Sequence, residues 1–315
     1  MPSVTLLDLI KLKSGSDGVL HLVDAVGQAA PEVLALASKT IKGTSYDVTL
    51  VKKYPTVGFR KANQGMSSSA AEFETRKAEC HIIDARIEVD KAVARAHDKG
   101  PDALMALYAQ ITGKATILGI GSQTIYGQAL DGSGFFGLQE MVDASMTVDA
   151  TGNSANAGSS VYFVFSDEDF GVSYVYGEDS TFELQPFFDG EGVDANGKKF
   201  PAHISYLNCR PGLSNASPFA IGCIKNLTAQ AGKGLTDALG YQLLEKFPTD
   251  VKPTHVLMNR AVRGMLQRSR TVVINGDGKR GSTGGQEGNV APLPTELCGI
   301  PIVCTDSILS TEAIR

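Results

Sequence analysis

The sequence lacks the residue patterns that mark most enzyme active sites. The Gly-Lys dipeptides Gly232-Lys233 and Gly278-Lys279 have neither the earlier glycine nor the following Ser or Thr of a phosphate-binding loop. No Gly-x-Ser-x-Gly elbow occurs. None of the 5 histidines is paired at i, i+4 with another metal ligand on a predicted helix. We therefore expect no enzyme activity, no cofactor and no metal site.

Paired cysteines, basic blocks and long apolar runs are also missing. The 5 cysteines are scattered and never form Cys-x-x-Cys, which favours reduced thiols in a cytosolic setting over a disulfide framework or a zinc site. The net charge is -5, and without a basic block we expect no nucleic-acid readout, although a polyanion could lie alongside. We find neither a basic leader with a long apolar run nor 18 consecutive apolar residues, so secretion and membrane spanning are not expected.

The composition is that of a folded protein. The chain has 315 residues, of which 43% are hydrophobic and 20% charged. This length allows one large domain or two ordinary ones, and the apolar share is enough for a packed core.

The stretch from Gly43 to Asp90 predicts a long two-stranded arm. Residues 46–51 and 83–90 both alternate between apolar and polar side chains, which is typical of half-buried strands. The residues between them are rich in Gly and Ser. An isolated ribbon is marginally stable and its open edges invite pairing, so we expect it to lie against something else. A second copy of the chain and the arm's own domain remain equal alternatives at this point.

The rest of the chain mixes helices and strands without βαβ order, which predicts an α+β fold. The strongest helix begins at Gly100-Pro101-Asp102 and extends towards Tyr126. The first 40 residues suggest three short helices, of which residues 1–12 could dock on a partner. Further predictions are strands at 161–176, a hairpin tip at 189–199, strands at 200–209 and 218–224, a helix at 235–247, a strand at 255–258, a basic helix at 260–270, a strand at 271–274, a glycine-rich loop at 275–289 and a strand at 300–304.

Two groups of basic residues have both a plain and a specific interpretation. Arg260, Arg263, Arg268 and Arg270 lie within one predicted helix. They form either a solvated face or a set of Arg–carboxylate contacts across a subunit boundary. Lysines of the arm, such as Lys61, either keep it soluble or, if desolvated, attack an Asn amide; the sequence around them shows no sign of the Glu and Asn that such a link needs.

Five segments together carry a resemblance to a known family. They are TIKGTSYDVTLVKKYPTVGFRKANQG (40–65), ECHIIDARIEVDKAVA (79–94), IYGQALDGSGFFGLQEMVDAS (125–145), IKNLTAQAGKGLTDAL (224–239) and APLPTELCGIPIVCTDSI (291–308). Spread over nearly the whole chain, they resemble the major capsid proteins of tailed bacteriophages with the Hong Kong 97-type fold. The similarity is greatest to the branch that includes short-tailed phages such as epsilon-fifteen and the Bordetella phage.

The resemblance implies a four-part fold. Residues 1–40 would be the N-terminal arm, 41–90 the extended β-hairpin loop, 91–230 the peripheral domain with a long spine helix, and 231–315 the axial domain. Strands such as VYFVF and FGVSYVY precede the segments THVLMN and ELCGIPIVC, whereas in most such proteins they follow them. This order implies a permuted connectivity.

The resemblance also implies a function, partners and contact residues. The chain would assemble with itself into hexamers and pentamers of an icosahedral phage head that encloses double-stranded DNA, contacted non-specifically. Other expected partners are a cement or decoration protein, a portal and a scaffolding protein, with assembly in the host cytoplasm and the virion as final location. The expected inter-subunit contacts are Tyr54, Val57, Phe59, Arg60, Lys61, Phe73 and Arg76 on the loop, and Arg260, Arg263, Arg268 and Arg270 on the basic helix.

Two rival functions remain. The first is the shell protein of a bacterial encapsulin-type nanocompartment, which would hold a cargo enzyme instead of DNA. The second is an enzyme with an unrecognised site, against which the absent motifs count.

Overall fold

The computed structural model describes residues 30–66, 68–178, 182–194, 196–270, 272–273, 288–289 and 292–315. The helices predicted within residues 1–26 and most of the glycine-rich loop lie outside these ranges. The helices within them are α1 (Glu32–Ala35), α2 (Lys91–Ala96), α3 (Pro101–Tyr126), α4 (Gln128–Asp131), α5 (Leu138–Met141), α6 (Asp237–Leu244) and α7 (Arg260–Arg270), with a 3-10 turn at Ala144–Met146.

The strands of the described residues form several small sheets. They are β1 (Ala37–Thr40), β2 (Ser45–Lys53), β3 (Glu72–Glu79), β4 (Ile83–Asp90), β5 (Thr147–Asp149), β6 (Ser159–Val164), β7 (Val172–Tyr176), β8 (Phe182–Leu184), β9 (Phe188–Val193), β10 (Lys199–Cys209), β11 (Pro211–Asn215), β12 (Ile221–Leu227), β13 (His255–Met258), β14 (Val272–Val273), β15 (Gly288–Asn289), β16 (Glu296–Leu297) and β17 (Ile300–Cys304). The sheet orders are β16-β17-β13-β6-β12-β5, β4-β10-β8 with β9 also on β10, β1-β7-β11, β2-β3 and β14-β15.

Strand β6 lies at the centre of the six-stranded sheet and is buried on both faces. Tyr162 and Val164 belong to a core that contains Ile120 and Ile125 of α3. The alternate residues Val161 and Phe163 belong to a second core, on which α6 and α7 pack. A strand covered on both sides reads as a continuous apolar run, which explains the sequence Val161-Tyr-Phe-Val.

Helix α3 confirms the prediction of a long helix from Gly100-Pro101. Pro101 occupies the first turn, where its missing N–H costs nothing, and 26 residues at about 1.5 Å each give a length of about 39 Å. By length and composition alone it is the one described helix apolar enough to cross a membrane, a test that core helices of soluble proteins also pass. Its buried residues cluster towards Tyr126, where it enters the core.

The predicted return strand of the arm is wrong. Strand β2 pairs antiparallel with β3, with Ser45 opposite Glu79 and Lys53 opposite Glu72. Strand β4, which the sequence suggested as the partner, instead pairs with β10 in the body, with Ile83 opposite Cys209. The predicted alternation of both segments is confirmed, but alternation does not identify a partner, because strand pairing is non-local.

The two strands predicted at 161–176 exist but do not pair with each other as a hairpin. Strand β6 joins the six-stranded sheet, whereas β7 lies between β1 and β11 in another sheet. The turn between them therefore carries the chain from one sheet to the other. The predicted hairpin tip at 189–199 is confirmed by the antiparallel pair β9 and β10, and the later helices and strands at 237–244, 255–258, 260–270 and 300–304 are present as well.

Candidate subunit-contact surfaces

The β2–β3 ribbon, defined as residues 45–79, lacks a sheet partner in the described structure. Its two strands pair only with each other. At about 3.3 Å per residue, the nine residues of β2 span about 30 Å. Residues 54–66 and 68–70 beyond the strands contain no helix or strand and are exposed throughout. A two-stranded ribbon of this kind is marginally stable in water without further contacts.

The ribbon carries large apolar side chains that nothing in the described chain covers. Phe59 is fully exposed, Val57 is 88% exposed, Tyr54 79% and Phe73 67%. Single exposed apolar residues are normal on proteins, but a concentration of them on one element indicates an interaction surface. These four belong to the predicted contact set. Sequence reasoning missed two others on the same ribbon, Val51 and Met66, each about half exposed.

The predicted basic residues of the ribbon have few internal partners. Arg60 donates a hydrogen bond to the carbonyl oxygen of Gln64 at 3.3 Å, and Arg76 lies 3.5 Å from Glu74. Lys61 is exposed. Exposed ion pairs contribute little to stability, so these contacts do not anchor the ribbon.

The root of the ribbon joins the body through backbone hydrogen bonds. The amide of Cys80 donates to the carbonyl of Thr44 at 2.9 Å, and the amide of His81 donates to the carbonyl of Pro211 at 2.9 Å. Beside this root lies a cavity of about 530 Å³ between β3, β11 and the turn after α3. Phe135 and Leu213 form part of its apolar lining and Arg76 part of its polar lining. The ribbon is therefore fixed at its root and projects from the body beyond it.

The four arginines of α7 have different environments. Arg270 makes a bidentate pair with Asp237 at the start of α6, with Nε–Oδ2 at 2.7 Å and Nη2–Oδ1 at 2.5 Å. The Nε of Arg263 donates to the carbonyl of Pro294 at 2.7 Å. Arg260 and Arg268 are exposed. Thus two of the predicted contact residues serve the fold of the subunit itself, and two extend into solvent.

The described residues contain little that suggests reaction chemistry. No group of three or more His, Cys, Asp or Glu residues within them could hold a metal ion. Burial raises the pKa of Cys209 to about 12 and that of Cys223 to about 12, so both thiols are protonated at neutral pH.

Sequence reasoning also missed the strand β3 itself. Its sequence, Glu-Phe-Glu-Thr-Arg-Lys-Ala-Glu, is too polar to show an apolar alternation. The available signal was charge, because Lys52 lies 3.8 Å from Glu74 and Lys53 lies 3.4 Å from Glu72 across the ribbon. Opposite charges at facing positions are a weak indicator of strand pairing.

Comparison with known proteins gives one family and several similar structures. The sequence model of the family described as major capsid protein GP7 matches residues 32–315. A structure of bacteriophage Epsilon15 is similar with a TM-score of 0.70 and 16% identity, covering 99% of this chain and 97% of that chain. The capsid of bacteriophage JBD30 has a TM-score of 0.52 and 12% identity, covering 96% and 99%.

An encapsulin structure is also similar. The SrpI encapsulin complex of Synechococcus elongatus has a TM-score of 0.50 and 9% identity, covering 72% of this chain and 98% of that chain. No curated protein sequence matches the chain.

Proposed function

This chain belongs to the family of major capsid protein GP7, and from that premise we propose that its copies assemble into the hexamers and pentamers of an icosahedral phage head around double-stranded DNA. The fold is the predicted α+β, Hong Kong 97-type fold, shared with the Epsilon15 and JBD30 structures. The chain is thus a phage major capsid protein, and the stoichiometry of its rings and its packaged DNA are the proposal.

One observation carries the proposal: the ribbon is incomplete in a single copy. Within the residues that the structure describes, no third strand pairs with β2 or β3, and Tyr54, Val57 and Phe59 at the far end of the ribbon are exposed. Strands β2 and β3 hold the far end of the ribbon about 30 Å from its root. In the proposed assembly, this far end lies on a neighbouring copy and contacts a part of that copy's surface other than its ribbon root. A contact between two different surfaces is head-to-tail, and when the rotation closes it generates a ring.

The energetic basis of assembly is the burial of this ribbon on a neighbouring copy. Fully burying a large apolar side chain contributes about 1.5–3 kcal/mol, and each ribbon offers several. Obligate interfaces usually bury about 2,000 Å² or more in total. In a closed ring, each subunit lays its ribbon on one neighbour and is covered by the ribbon of another. This doubles the area that each copy buries, which favours closed rings over free subunits.

We assign the predicted contact residues to this interface in two groups. On the ribbon, Tyr54, Val57, Phe59 and Phe73 supply apolar burial, while Arg60, Lys61 and Arg76 supply charged contacts at its border. On α7, Arg260 and Arg268 are the arginines with exposed side chains, and they favour a carboxylate of a neighbouring copy. Arg263 and Arg270 orient the helix that presents them.

The domain division follows the same proposal. Residues 1–40 form the N-terminal arm, 41–90 the extended loop, 91–230 the peripheral domain and 231–315 the axial domain, with a permuted strand order relative to most such proteins. Within the loop, the ribbon is the projecting part, since β4 pairs with the body. A cement or decoration protein, a portal and a scaffolding protein are further proposed partners, with assembly in the host cytoplasm.

The proposed contact with DNA is non-specific. The net charge of -5 gives the chain no overall attraction for phosphate, and sequence readout needs clustered Lys and Arg. A wall with this charge allows packaged DNA to lie alongside without tight binding.

The second candidate, an encapsulin-type shell, is favoured by the likeness to the SrpI complex. Particles that enclose a protein cargo and no DNA would support that candidate.

The ribbon test replaces residues 54–71 with the dipeptide Asn-Gly, which closes a two-residue hairpin. We expect a folded chain with an unchanged circular dichroism spectrum that no longer forms closed shells in electron micrographs. Shells of normal size from this variant would refute the role of the ribbon.

A finer test separates specific contacts from general surface hydrophobicity. The double substitution Tyr54→Ala and Phe59→Ala should leave the unfolding midpoint unchanged, because both side chains are exposed, and should raise the subunit concentration needed for assembly at least tenfold. Phe170→Ala is the matched control, since Phe170 is 76% exposed on another part of the surface. Equal effects of the two changes on assembly would argue against the ribbon as the interface.

A further inference from the structure

Glu32 is a fully buried acidic residue with an incomplete set of hydrogen bonds. It is 0% exposed. Its Oε1 accepts a hydrogen bond from the hydroxyl of Ser307 at 2.5 Å, but its Oε2 has no partner in the described part of the chain. A buried ionised carboxylate without a counter-charge is very costly, whereas the neutral carboxyl is tolerated more readily. The site therefore favours the neutral form of Glu32 over the ionised form.

Three separate segments meet at this carboxyl. It extends from α1, it bonds to the C-terminal segment at Ser307, and it lies against Gly121 of α3. A Cβ at Gly121 would lie 2.5 Å from the Glu32 Oε1, 2.5 Å from the Ser307 hydroxyl and 2.7 Å from the Ala30 Cβ. Any side chain larger than that of glycine would occupy this space. Glycine at position 121 therefore allows the Glu32 side chain to pack closely against the helix.

Burial is the main cause that favours the neutral form of Glu32. Burial raises the pKa of the Glu32 carboxyl, and Asp306 of the C-terminal segment raises it further, against the lowering effect of the hydrogen bond from Ser307 and of the nearby Thr305 hydroxyl. From β7 the facing group is the Tyr174 hydroxyl, which shares a hydrogen bond of 2.7 Å with the hydroxyl of Thr124 on α3. Gly121 of α3 brings no charge.

We propose that Glu32 is a proton-dependent latch: its neutral carboxyl holds residues 30–36 in the body, and loss of its proton to solvent releases them. Residues 30–36 are also held by the buried side chains Ala30, Val33 and Leu36, which set how often the segment opens at low pH. The protonation state of Glu32 sets how the frequency of this opening changes with pH.

The latch lies at the start of the path to the ribbon. Leu36 continues directly into β1, which pairs in parallel with β7 from Ala37 opposite Ser173 to Thr40 opposite Tyr176. Strand β2 begins only five residues later, at Ser45. Release of residues 30–36 removes the support on the N-terminal side of β1, so the state of Glu32 is coupled to the root of the ribbon.

The sign of the pH dependence follows from linkage. The released segment ionises Glu32 at the ordinary pKa of 4.5, whereas the docked segment holds a raised pKa. The docked state therefore binds more protons, and opening increases tenfold for each pH unit between 4.5 and the raised value. Above the raised value both states are ionised and opening no longer changes.

Hydrogen exchange of the full chain, followed by mass spectrometry, reads the latch directly. The amides of Leu34 and Ala35 donate to the Pro31 carbonyl at 3.1 and 3.0 Å, and the amide of Leu36 donates to the Glu32 carbonyl at 3.1 Å. Their protection factors, corrected for intrinsic exchange at each pH, should fall tenfold per pH unit within the window in the unmodified chain. In Glu32→Gln, which imitates the neutral carboxyl, they should stay constant within about threefold.

Two further variants complete the experiment. Glu245→Gln removes an exposed carboxylate and should follow the unmodified chain. Gly121→Ala displaces the carboxyl sterically and should lower protection at every pH. The proposal is overturned if the unmodified chain shows flat protection from pH 5 to 9, if Glu32→Gln retains its slope, or if Glu32→Gln is as open as Gly121→Ala.

If Glu32→Gln fails to fold, the slope of the unmodified chain and the effect of Gly121→Ala still decide the question. The readout is taken within one chain and does not require shells to form. Its outcome is therefore independent of the proposed head assembly.

Discussion

Glu312 is one of the residues that join the C-terminal tail to the body. Its Oε1 accepts a hydrogen bond from the Tyr126 hydroxyl at 2.8 Å. Its Oε2 accepts from the Ser160 hydroxyl at 2.6 Å and from Arg315 Nη2 at 3.2 Å. The residue is 8% exposed. At this scale, stability depends on buried polar groups that complete one another's hydrogen bonds.

We expect Glu312→Ala to lower the free energy of unfolding by about 3 kcal/mol, because the Arg315 guanidinium and the Ser160 hydroxyl lose their buried partner. Glu312→Gln should cost less, since the amide oxygen still accepts. Urea unfolding followed by circular dichroism measures both, with Glu245→Ala as the exposed control. A loss below about 0.5 kcal/mol for Glu312→Ala, the usual range of surface changes, would contradict this role.

The buried cysteines should be unreactive in the folded chain. With a pKa of about 12 for each of Cys209 and Cys223, the reactive thiolate at pH 8 is about one part in 10,000. Iodoacetamide at pH 8 should therefore leave both unmodified by mass spectrometry, while partly exposed Cys304 is modified. In denaturant all three should react. Native labelling of Cys223 as fast as Cys304 would disprove the expectation.

Helix α3 shows how one residue type has opposite roles in a single element. A Cβ at Gly119 would meet nothing within 4 Å, whereas at Gly121 it would meet Glu32, Ser307 and Ala30 below 3 Å. Of the two glycines, only Gly121 is closely packed, and it packs against the N-terminal and C-terminal segments.

Gly119→Ala should raise the free energy of unfolding by up to about 1 kcal/mol, because alanine loses less backbone freedom in a helix and has room here. Gly121→Ala should lower it, since three contacts must shift. Thermal unfolding of the two variants under one condition gives the comparison. If both changes had the same sign, local packing would not be the deciding factor.

The whole molecule separates residues that serve the fold from residues that extend outwards. Arg270 pairs with Asp237 and so joins α7 to α6, whereas Arg260 and Arg268 on the same helix are exposed. The ribbon shows the same division, because its root bonds to the body and its far end contacts nothing described. A subunit of this kind has a packed core, but part of its surface is available for contacts with other molecules.

Arg260→Ala with Arg268→Ala should leave the unfolding midpoint unchanged but weaken assembly, most at low salt where charge contacts are strongest. Arg270→Ala should lower the free energy of unfolding by about 0.5–1 kcal/mol, a modest value because the pair is partly solvent-screened. Light scattering measures assembly and urea unfolding measures stability. Unchanged assembly in the double variant would exclude these two arginines from the interface.

The sequence by itself determined the elements whose signal is local. Pro101 and the apolar spacing that follows it fixed α3, and the apolar run at 161–164 fixed a buried strand, because helix and strand periods depend on neighbours in the chain. Tyr54, Val57 and Phe59 at the far end of the ribbon were named as contact residues through the resemblance to a known family, and their exposure is an observation of the structure. Only the tertiary structure decided that β2 pairs with β3 and β4 with β10, that β6 and β7 belong to different sheets, and that Glu32 is buried beside Gly121. Those choices depend on contacts between residues far apart in sequence, and no local pattern specifies such a partner.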